Sequence, residues 1–177
     1  MSDDRAEEGR TTQFVSYWLM QRPDLNSDSL ALQLTVARIT LLSRRTLRSL
    51  AEAEGITAID FNIMGAIKRG SHAGSIRPSD LRKLFSLTSS TISYRTDRLF
   101  ELGLVERLGQ AGDRRVIQLR LTPAGEAKVD KVMTGYTSVL NDKLRAVDSR
   151  PNGRRDLILL LGALARAWEG SEEPDLT

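Results

Sequence analysis

Hydroxyl and basic side chains crowd one short stretch of the chain, residues 86–107, SLTSSTISYRTDRLFELGLVER. Four consecutive hydroxyl residues open this stretch: Thr88, Ser89, Ser90 and Thr91. Such residues are poor inside a helix, but at a helix start they can bind phosphate or base edges, where the helix dipole also favours anions. The chemistry on offer is therefore hydrogen bonding to an anion or a base. The alternative is an ordinary surface helix with a polar N-terminus.

The composition excludes several other kinds of chemistry. The 177 residues contain no cysteine and a single histidine, His72. A disulfide framework, a thiolate metal site and a thiol redox switch are thereby excluded, and so is a histidine-rich metal site. No nucleophile–base pair or glycine-rich phosphate loop stands out either. We expect no enzyme, no metal and no cofactor.

Positive charge is concentrated in the middle of the chain. Residues 68–120 hold eleven Lys and Arg against five Asp and Glu, a net charge of +6, whereas the whole chain carries +3. A basic centre between neutral, apolar flanks is typical of a module that binds a polyanion.

Local signals predict the helices that must position these side chains. Thr88 is a good N-cap, Ile92, Thr96 and Leu99 share one helical face, and Gly103 occupies the place of a left-handed C-terminal residue. A shorter helix is predicted before it, from Pro78 to about residue 85. Two short helices joined by a tight turn, the second polar and basic, form a helix-turn-helix pattern.

A β-hairpin is predicted after the second helix. Residues 104–108 alternate between apolar and polar, residues 109–114 (GQAGDR) read as a glycine-rich tip, and residues 115–121 alternate again. A hairpin in this position, with Asp113, Arg114 and Arg115 near its tip, forms a wing.

The flanking segments predict helices with apolar surface to cover. A short amphipathic helix is expected at residues 12–21, and a long one from an Asp28 or Ser29 cap to about Glu54. Thr57 caps the next helix, with Asp60 at its third position. The long helix should bury a stripe of Leu30, Leu34, Ala37, Leu41 and Leu42. The closing helix, residues 156–168, is apolar nearly all round, so we expect a homodimer made from the terminal helices.

No apolar run approaches the ~20 residues of a membrane span. The acidic start, MSDDRAEEG, does not have the pattern of a signal peptide. We therefore expect a cytoplasmic location.

Three linked motifs resemble the MarR family of winged helix-turn-helix transcriptional regulators: Leu99-x-x-x-Gly103-Leu104-Val105-x-Arg107, Asp113-x-Arg115, and Leu121-Thr122-x-x-Gly125. The resemblance implies a mainly α (α+β) fold, a winged helix-turn-helix domain with N- and C-terminal helices that form a dimerisation domain. We expect N-terminal dimerisation helices at residues 11–56, the DNA-binding domain at 57–122, C-terminal dimerisation helices at 123–170, and disordered tails at 1–10 and 171–177.

The resemblance also implies recognition of double-stranded DNA by the helix that Thr88 caps. The expected contacts come from its hydroxyl, aromatic and basic side chains: Thr88, Ser89, Ser90, Thr91, Ser93, Tyr94, Arg95 and Arg98. Arg95 stands where the family usually has an apolar residue, so we expect it to reach the phosphate backbone. The alternative for Arg98 is a pairing with Asp97, Glu101 or the backbone.

For the wing, the resemblance places Arg115 in the minor groove, with Asp113 orienting it and Arg114 on a phosphate. The alternative for Asp113 is a turn-forming role, which is compatible with the first. A two-fold dimer implies a pseudopalindromic operator with half-sites ~10 base pairs apart.

Members of this family often bind small aromatic or phenolic acids between the dimerisation helices and the DNA-binding lobe. In this chain the candidate effector contacts are Tyr17, Trp18, Arg38, Met64 and His72. Each has a plainer alternative, namely core packing for Trp18 and Met64, a loop position for His72 and a solvated charge for Arg38. The sequence predicts a ligand-responsive repressor, with a winged-helix protein-interaction module that does not bind DNA as the alternative.

Overall fold

The computed structural model describes residue 13 and residues 16–70, 75–110 and 113–170. A long helix of 27 residues, α1, is followed by a lobe of short helices and strands and then by two further helices. In chain order the elements are α1 (Ser27–Ala53), α2 (Ala58–Arg69), β1 (Ser75–Ile76), α3 (Pro78–Phe85), α4 (Ser89–Glu101), β2 (Val105–Gln110), β3 (Asp113–Leu121), α5 (Pro123–Leu144) and α6 (Gly153–Glu169). Helical backbone also covers residues 16–21, within the predicted first helix. A membrane-spanning helix is absent from the described ranges.

The ends of α1 and the start of α2 are set by capping. Asn26 caps α1 by accepting from the Ser29 amide at 2.9 Å, so the prediction of an Asp28 or Ser29 cap was wrong by two or three residues. Gly55, at φ +73°, ends α1 in the left-handed conformation that suits glycine. Thr57 then starts α2 with the predicted reciprocal box, in which Thr57 and Asp60 each bind the other's backbone amide.

The sheet is antiparallel with strand order β1–β3–β2. Val105 pairs with Leu121 and Leu108 with Gln118, and the register shifts between Gly109 and Gln110. Both long strands extend further toward the tip than expected, because Gly109–Gln110 and Asp113–Arg114 belong to strands. The wing is confirmed, while its central tip residues, 111 and 112, lie outside the described residues.

The hydrophobic core lies inside the lobe and reaches the ends of α1 and α5 next to it. Its members are aliphatic apart from Phe61 and Met64, as the low aromatic content predicts. The buried apolar residues are Ala51, Ile56, Phe61, Ile63, Met64, Ala66, Ile67, Leu81, Ile92, Leu99, Leu104, Val105, Leu119, Leu121, Val129 and Val132. The predicted fold class, mainly α with a small sheet in a winged helix-turn-helix lobe, is confirmed.

The helices outside the lobe keep much of their apolar surface uncovered within one chain. No residue of α6 is buried, and Ile158 and Leu160 are 67% and 70% exposed. On α1 only Ala51 is buried, and the predicted stripe residues Leu41 and Leu42 remain exposed. A single chain therefore does not bury the stripe that the sequence predicts.

Candidate nucleic-acid interface

The helix-turn-helix consists of α3 and α4, joined by a left-handed turn. Ser86 has φ +51° and ends α3, with its amide and that of Leu87 donating to the carbonyls of Lys83 and Arg82. A non-glycine residue accepts this conformation at some cost, which the two backbone hydrogen bonds offset. The turn fixes the direction in which α4 leaves α3.

The first turn of α4 presents open backbone donors. Thr88 caps the helix as predicted, since its Oγ1 accepts from the Thr91 amide at 3.2 Å and lies 3.0 Å from Ser90 Oγ. The amides of Ser89 and Ser90 have no acceptor among the described residues. Free amides at a helix start, together with the helix dipole, make an anion-binding end.

The two faces of α4 are divided as the spacing predicts. Ile92, Thr96 and Leu99 are buried, and the Thr96 hydroxyl donates to the Ile92 carbonyl. On the opposite side Ser93 and Tyr94 are exposed, Tyr94 to 64%. These exposed side chains are available to a partner that approaches the helix from solvent.

Arg82 belongs to the same surface, although the sequence did not single it out. From α3 it donates Nη1 to Ser89 Oγ at 3.1 Å. With Pro78, Ser79 and Ser93 it lines a shallow depression of about 200 Å³ where α3 meets α4. Its exposed position in the last turn of the helix before the polar stretch is the signal that could have identified it.

Two arginines of α4 turn toward α2. Arg98 Nη1 lies 2.7 Å from Asp60 Oδ2, and Arg95 Nη1 lies 3.5 Å from Asp60 Oδ1. Asp60 has no exposed surface, whereas the side chains of Arg95 and Arg98 are 26% and 34% exposed. Arg98 thus pairs with Asp60 on another helix rather than with Asp97 or Glu101, and Arg95 lies against α2; their predicted DNA contacts stay predictions.

The wing shows a ladder of ion pairs near its base. Arg107 on β2 pairs with Asp97 and lies over the ring of Phe100, 5.1 Å from its centroid. Arg120 on β3 pairs with Glu106 at 2.7 Å. The backbone of Asp113, Arg114 and Arg115 forms the start of β3, and their predicted DNA contacts stay predictions.

A tight joint connects the end of α4 to the start of α5. Gly103, at φ +68°, and Leu104 close α4 by donating to the carbonyls of Phe100 and Leu99. Thr122 then binds both, its Oγ1 donating to the Gly103 carbonyl at 2.7 Å and its amide to the Leu104 carbonyl at 3.1 Å. Gly125 is required here, because a Cβ on it would lie 2.0 Å from the Leu104 carbonyl oxygen.

Sequence comparison places this architecture among known proteins. A family model described as the MarR family matches residues 54–116. The HTH-type transcriptional regulator PecS of Dickeya dadantii (strain 3937) is 30% identical over 130 residues, which span 73% of this chain and 78% of that protein. The chain belongs to the MarR family.

Solved structures agree with this assignment. The apo form of wild-type MarR from E. coli superposes with a TM-score of 0.64 at 25% identity, over 75% of this chain and 95% of that one. A mutant of E. coli MarR complexed with operator DNA gives a TM-score of 0.58 at 22% identity, over 83% of this chain and 96% of that one. As a MarR-family protein, the chain is a transcriptional regulator rather than a member of an enzyme family.

The described residues predicted to contact an effector lie on three different helical segments. Tyr17 and Trp18 form an edge-to-face pair with ring centroids 6.2 Å apart on helical residues 16–21, and Arg38 is half-buried on α1. Met64 is completely buried in the core of the lobe. Its side chain has no surface to offer a ligand, so its effector role is not supported. His72 lies outside the described residues.

A different depression lies between α2 and α5 of this MarR-family chain. It has a volume of about 260 Å³, and its floor and rim combine apolar with basic side chains. The lining residues are Phe61, Asn62, Gly65, Lys68, Arg69, Val129, Asp130 and Met133. Lys68 is paired with Asp130 at 2.5 Å, while Arg69 makes no ion pair with any described residue.

Proposed function

We propose that this MarR-family chain represses transcription by binding a pseudopalindromic operator as a homodimer, with α4 of each protomer in the major groove. The observation that carries the proposal is the start of α4. The amides of Ser89 and Ser90 are open there, and Ser93 and Tyr94 are exposed beside them. A helix that presents donors and polar side chains to solvent at one end fits a duplex better than it fits a protein core.

The parts of this surface have different proposed roles. The open amides of Ser89 and Ser90 and the guanidinium of Arg82 bind phosphate, because they present donors and positive charge on one side. Ser93 and Tyr94 face the base edges. The hydroxyls of Thr88 and Thr91 hydrogen-bond to each other at 2.8 Å, so they shape the helix start and support these contacts.

For the wing we keep the roles that the family resemblance implies. Arg115 enters the minor groove, Asp113 orients it, and Arg114 binds phosphate. β3 begins at Asp113, so all three residues follow directly on the tip of the hairpin. This position supports contact with the groove beside the one that α4 enters.

The uncovered apolar surface supports the homodimer. Residues of α6 that are at least half exposed include Ile158, Leu159, Leu160 and Trp168. A groove of about 860 Å³ between α1 and α6 is lined mainly by apolar side chains, among them Leu32 and Leu161. Exposed apolar side chains that lie together on one face are typical of a protein–protein interface. A second copy of the same helices provides the matching surface under two-fold symmetry.

Salt-dependent DNA titration tests the proposal. Operator DNA is first selected from random sequence with the purified protein, and its affinity is then measured at several salt concentrations. The logarithm of affinity should fall linearly with the logarithm of salt, and Arg82→Gln should flatten the slope by ~0.9, the value for one phosphate contact.

Arg150→Gln is the matched control, because it removes the same charge from an exposed turn between α5 and α6 and should leave the slope unchanged. If no duplex is selected, or if the affinity for duplex DNA does not depend on salt, the protein-interaction module is favoured over the DNA-binding regulator.

Effector control belongs to the same proposal. The depression between α2 and α5 suits a small aromatic acid, because Phe61, Val129 and Met133 can cover a ring while Arg69 faces a carboxylate. Hydroxybenzoates should raise the melting temperature and weaken operator binding, and Arg69→Gln should remove both effects. Benzamide, which lacks the negative charge, serves as the control ligand. An equal response to benzamide would contradict a carboxylate site.

A further inference from the structure

Asp60 is a buried carboxylate with three distinct partners. Its Oδ2 accepts from the Thr57 amide at 3.0 Å and from Arg98 Nη1 at 2.7 Å, while Oδ1 faces Arg95 Nη1 at 3.5 Å. Capping of α2 needs only the first of these contacts. The other two come from the helix that carries the proposed DNA-binding face, so Asp60 has a second role that capping does not explain.

No other carboxylate in the described part of the chain competes for these arginines. Asp97 on α4 pairs with Arg107 of the wing, and Glu101 forms no ion pair with either arginine. Both guanidinium groups therefore lie on the α2 side of α4. Arg95 also approaches Thr57 Oγ1 at 3.4 Å, and its Nε is buried without a hydrogen-bond partner. A buried donor without a partner carries a cost, which the contacts of Nη1 with Asp60 and Thr57 offset in part.

We propose that Asp60 is a specificity-determining residue, which holds Arg95 and Arg98 away from DNA phosphates and fixes the orientation of α4. This inference rests on the proposed function, because it assigns roles within the same DNA-binding surface. A guanidinium that is free to reach phosphate strengthens binding to every sequence equally. One that is bound to a buried carboxylate adds rigidity to the helix and little to non-specific affinity, so discrimination passes to the exposed side chains of α4.

The first test removes the arginine charge from the intact protein. Binding to a non-specific duplex is measured against salt for the wild type, Arg98→Gln, Arg95→Gln and Arg82→Gln. The slopes for Arg98→Gln and Arg95→Gln should equal that of the wild type, whereas Arg82→Gln should flatten it by ~0.9. A flattening of ~0.9 in either of the first two variants shows a direct phosphate contact and overturns the proposal.

The second test releases the arginines by neutralising their partner. Asp60→Asn presents an amide donor where the carboxylate stood, so Arg95 and Arg98 lose their anion. The non-specific slope should become steeper by ~0.9 for each freed arginine, which at 0.1 M salt is roughly an eightfold gain in non-specific affinity per residue. Operator affinity should fall, so the ratio of operator to non-specific binding should drop by at least about tenfold.

Thr57→Ala is the matched control for Asp60→Asn. It removes the other half of the capping box and the 3.4 Å contact of Arg95 with Thr57 Oγ1, but it leaves in place the Asp60 charge, which both arginines face. Its slope of non-specific affinity against salt should equal that of the wild type, because loss of capping alone does not release a positive charge. An Asp60→Asn slope equal to the wild-type slope overturns the proposal.

The two arginine variants decide the question alone if Asp60→Asn does not fold. Failure of the proposed function gives a different result, since the wild type itself would then bind no DNA. If the wild type binds its operator but Arg98→Gln flattens the salt slope, or Asp60→Asn leaves it unchanged, only the role of Asp60 is refuted.

Discussion

The joint between α4 and α5 should not tolerate a methyl group at Gly125. An alanine Cβ at this position would lie 2.0 Å from the Leu104 carbonyl oxygen, whereas ordinary contacts begin near 3.4 Å. The end of α4 and the start of α5 must therefore separate by more than about 1 Å. Neither atom can turn aside, because one is a backbone oxygen and the other is bonded directly to the backbone.

The cost of this separation follows from the contacts that it breaks. Two hydrogen bonds cross the joint, from the Thr122 amide to Leu104 and from the Thr122 hydroxyl to Gly103. Each contributes about 1 kcal/mol net, and overpacking adds about 1–3 kcal/mol. Alanine returns about 1 kcal/mol through its better helix propensity. Gly125→Ala should therefore lower the free energy of unfolding by about 2–4 kcal/mol.

Urea unfolding at one fixed protein concentration measures this change, since a dimer's stability depends on concentration. The midpoint should fall while the slope with denaturant stays constant. Gly109→Ala is the matched control, because a Cβ on that exposed strand residue would meet no atom within 4 Å, and its stability should stay within about 0.5 kcal/mol of the wild type. A Gly125→Ala stability inside the same limits would refute the account of the joint.

Three further perturbations test other parts of the molecule. Leu160→Lys places a charge on the exposed apolar face of α6 and should shift the protein toward monomers in sedimentation equilibrium. Thr88→Ala removes the cap of α4 and should cost about 1 kcal/mol in thermal unfolding. A side-chain hydrogen bond from Arg154 lowers the pKa of Asp148. The stabilisation from this pair is present above the ordinary aspartate pKa of about 4 and is lost as pH falls through the lowered value. The stability difference between wild type and Asp148→Asn should therefore vanish in strong acid.

The sequence predicted those elements whose boundaries depend on local chemistry. Thr57 and Thr88 cap helices as expected, and Thr122 caps α5 in the same way, because a hydroxyl followed by three free amides is a self-contained signal. The start of α1 was misplaced because all four residues at positions 26–29 (Asn, Ser, Asp and Ser) are of types that can cap a helix. α6 begins at Gly153 rather than Asp156, because Asn152 in the left-handed conformation closes the turn earlier than composition suggests.

Long-range pairing limited the prediction of the candidate site. The sequence identified Asp60 as a helix-start residue, yet its partners Arg95 and Arg98 lie 35 and 38 positions away. No periodicity reports such a contact, and an arginine among exposed serines reads naturally as a DNA contact. Arg82 was not singled out for the related reason that its contact with Ser89 depends on how α3 packs against the start of α4. Both cases involve side chains that bridge two elements.

Two of the three motifs that carry the family resemblance meet in space at the joint rather than on the exposed face of α4. Gly103, Thr122 and Gly125 meet there, and each is needed for backbone geometry: a positive φ, a bond to a carbonyl or a close approach. Ser93 and Tyr94 lie outside these motifs and on the solvent side. The residues of these two motifs orient the helix, whereas the proposed contacts with operator bases come from residues outside them. Substituting Ser93 and Tyr94 should therefore change the selected operator. The free energy of unfolding should stay nearly constant, because neither side chain contributes to the core.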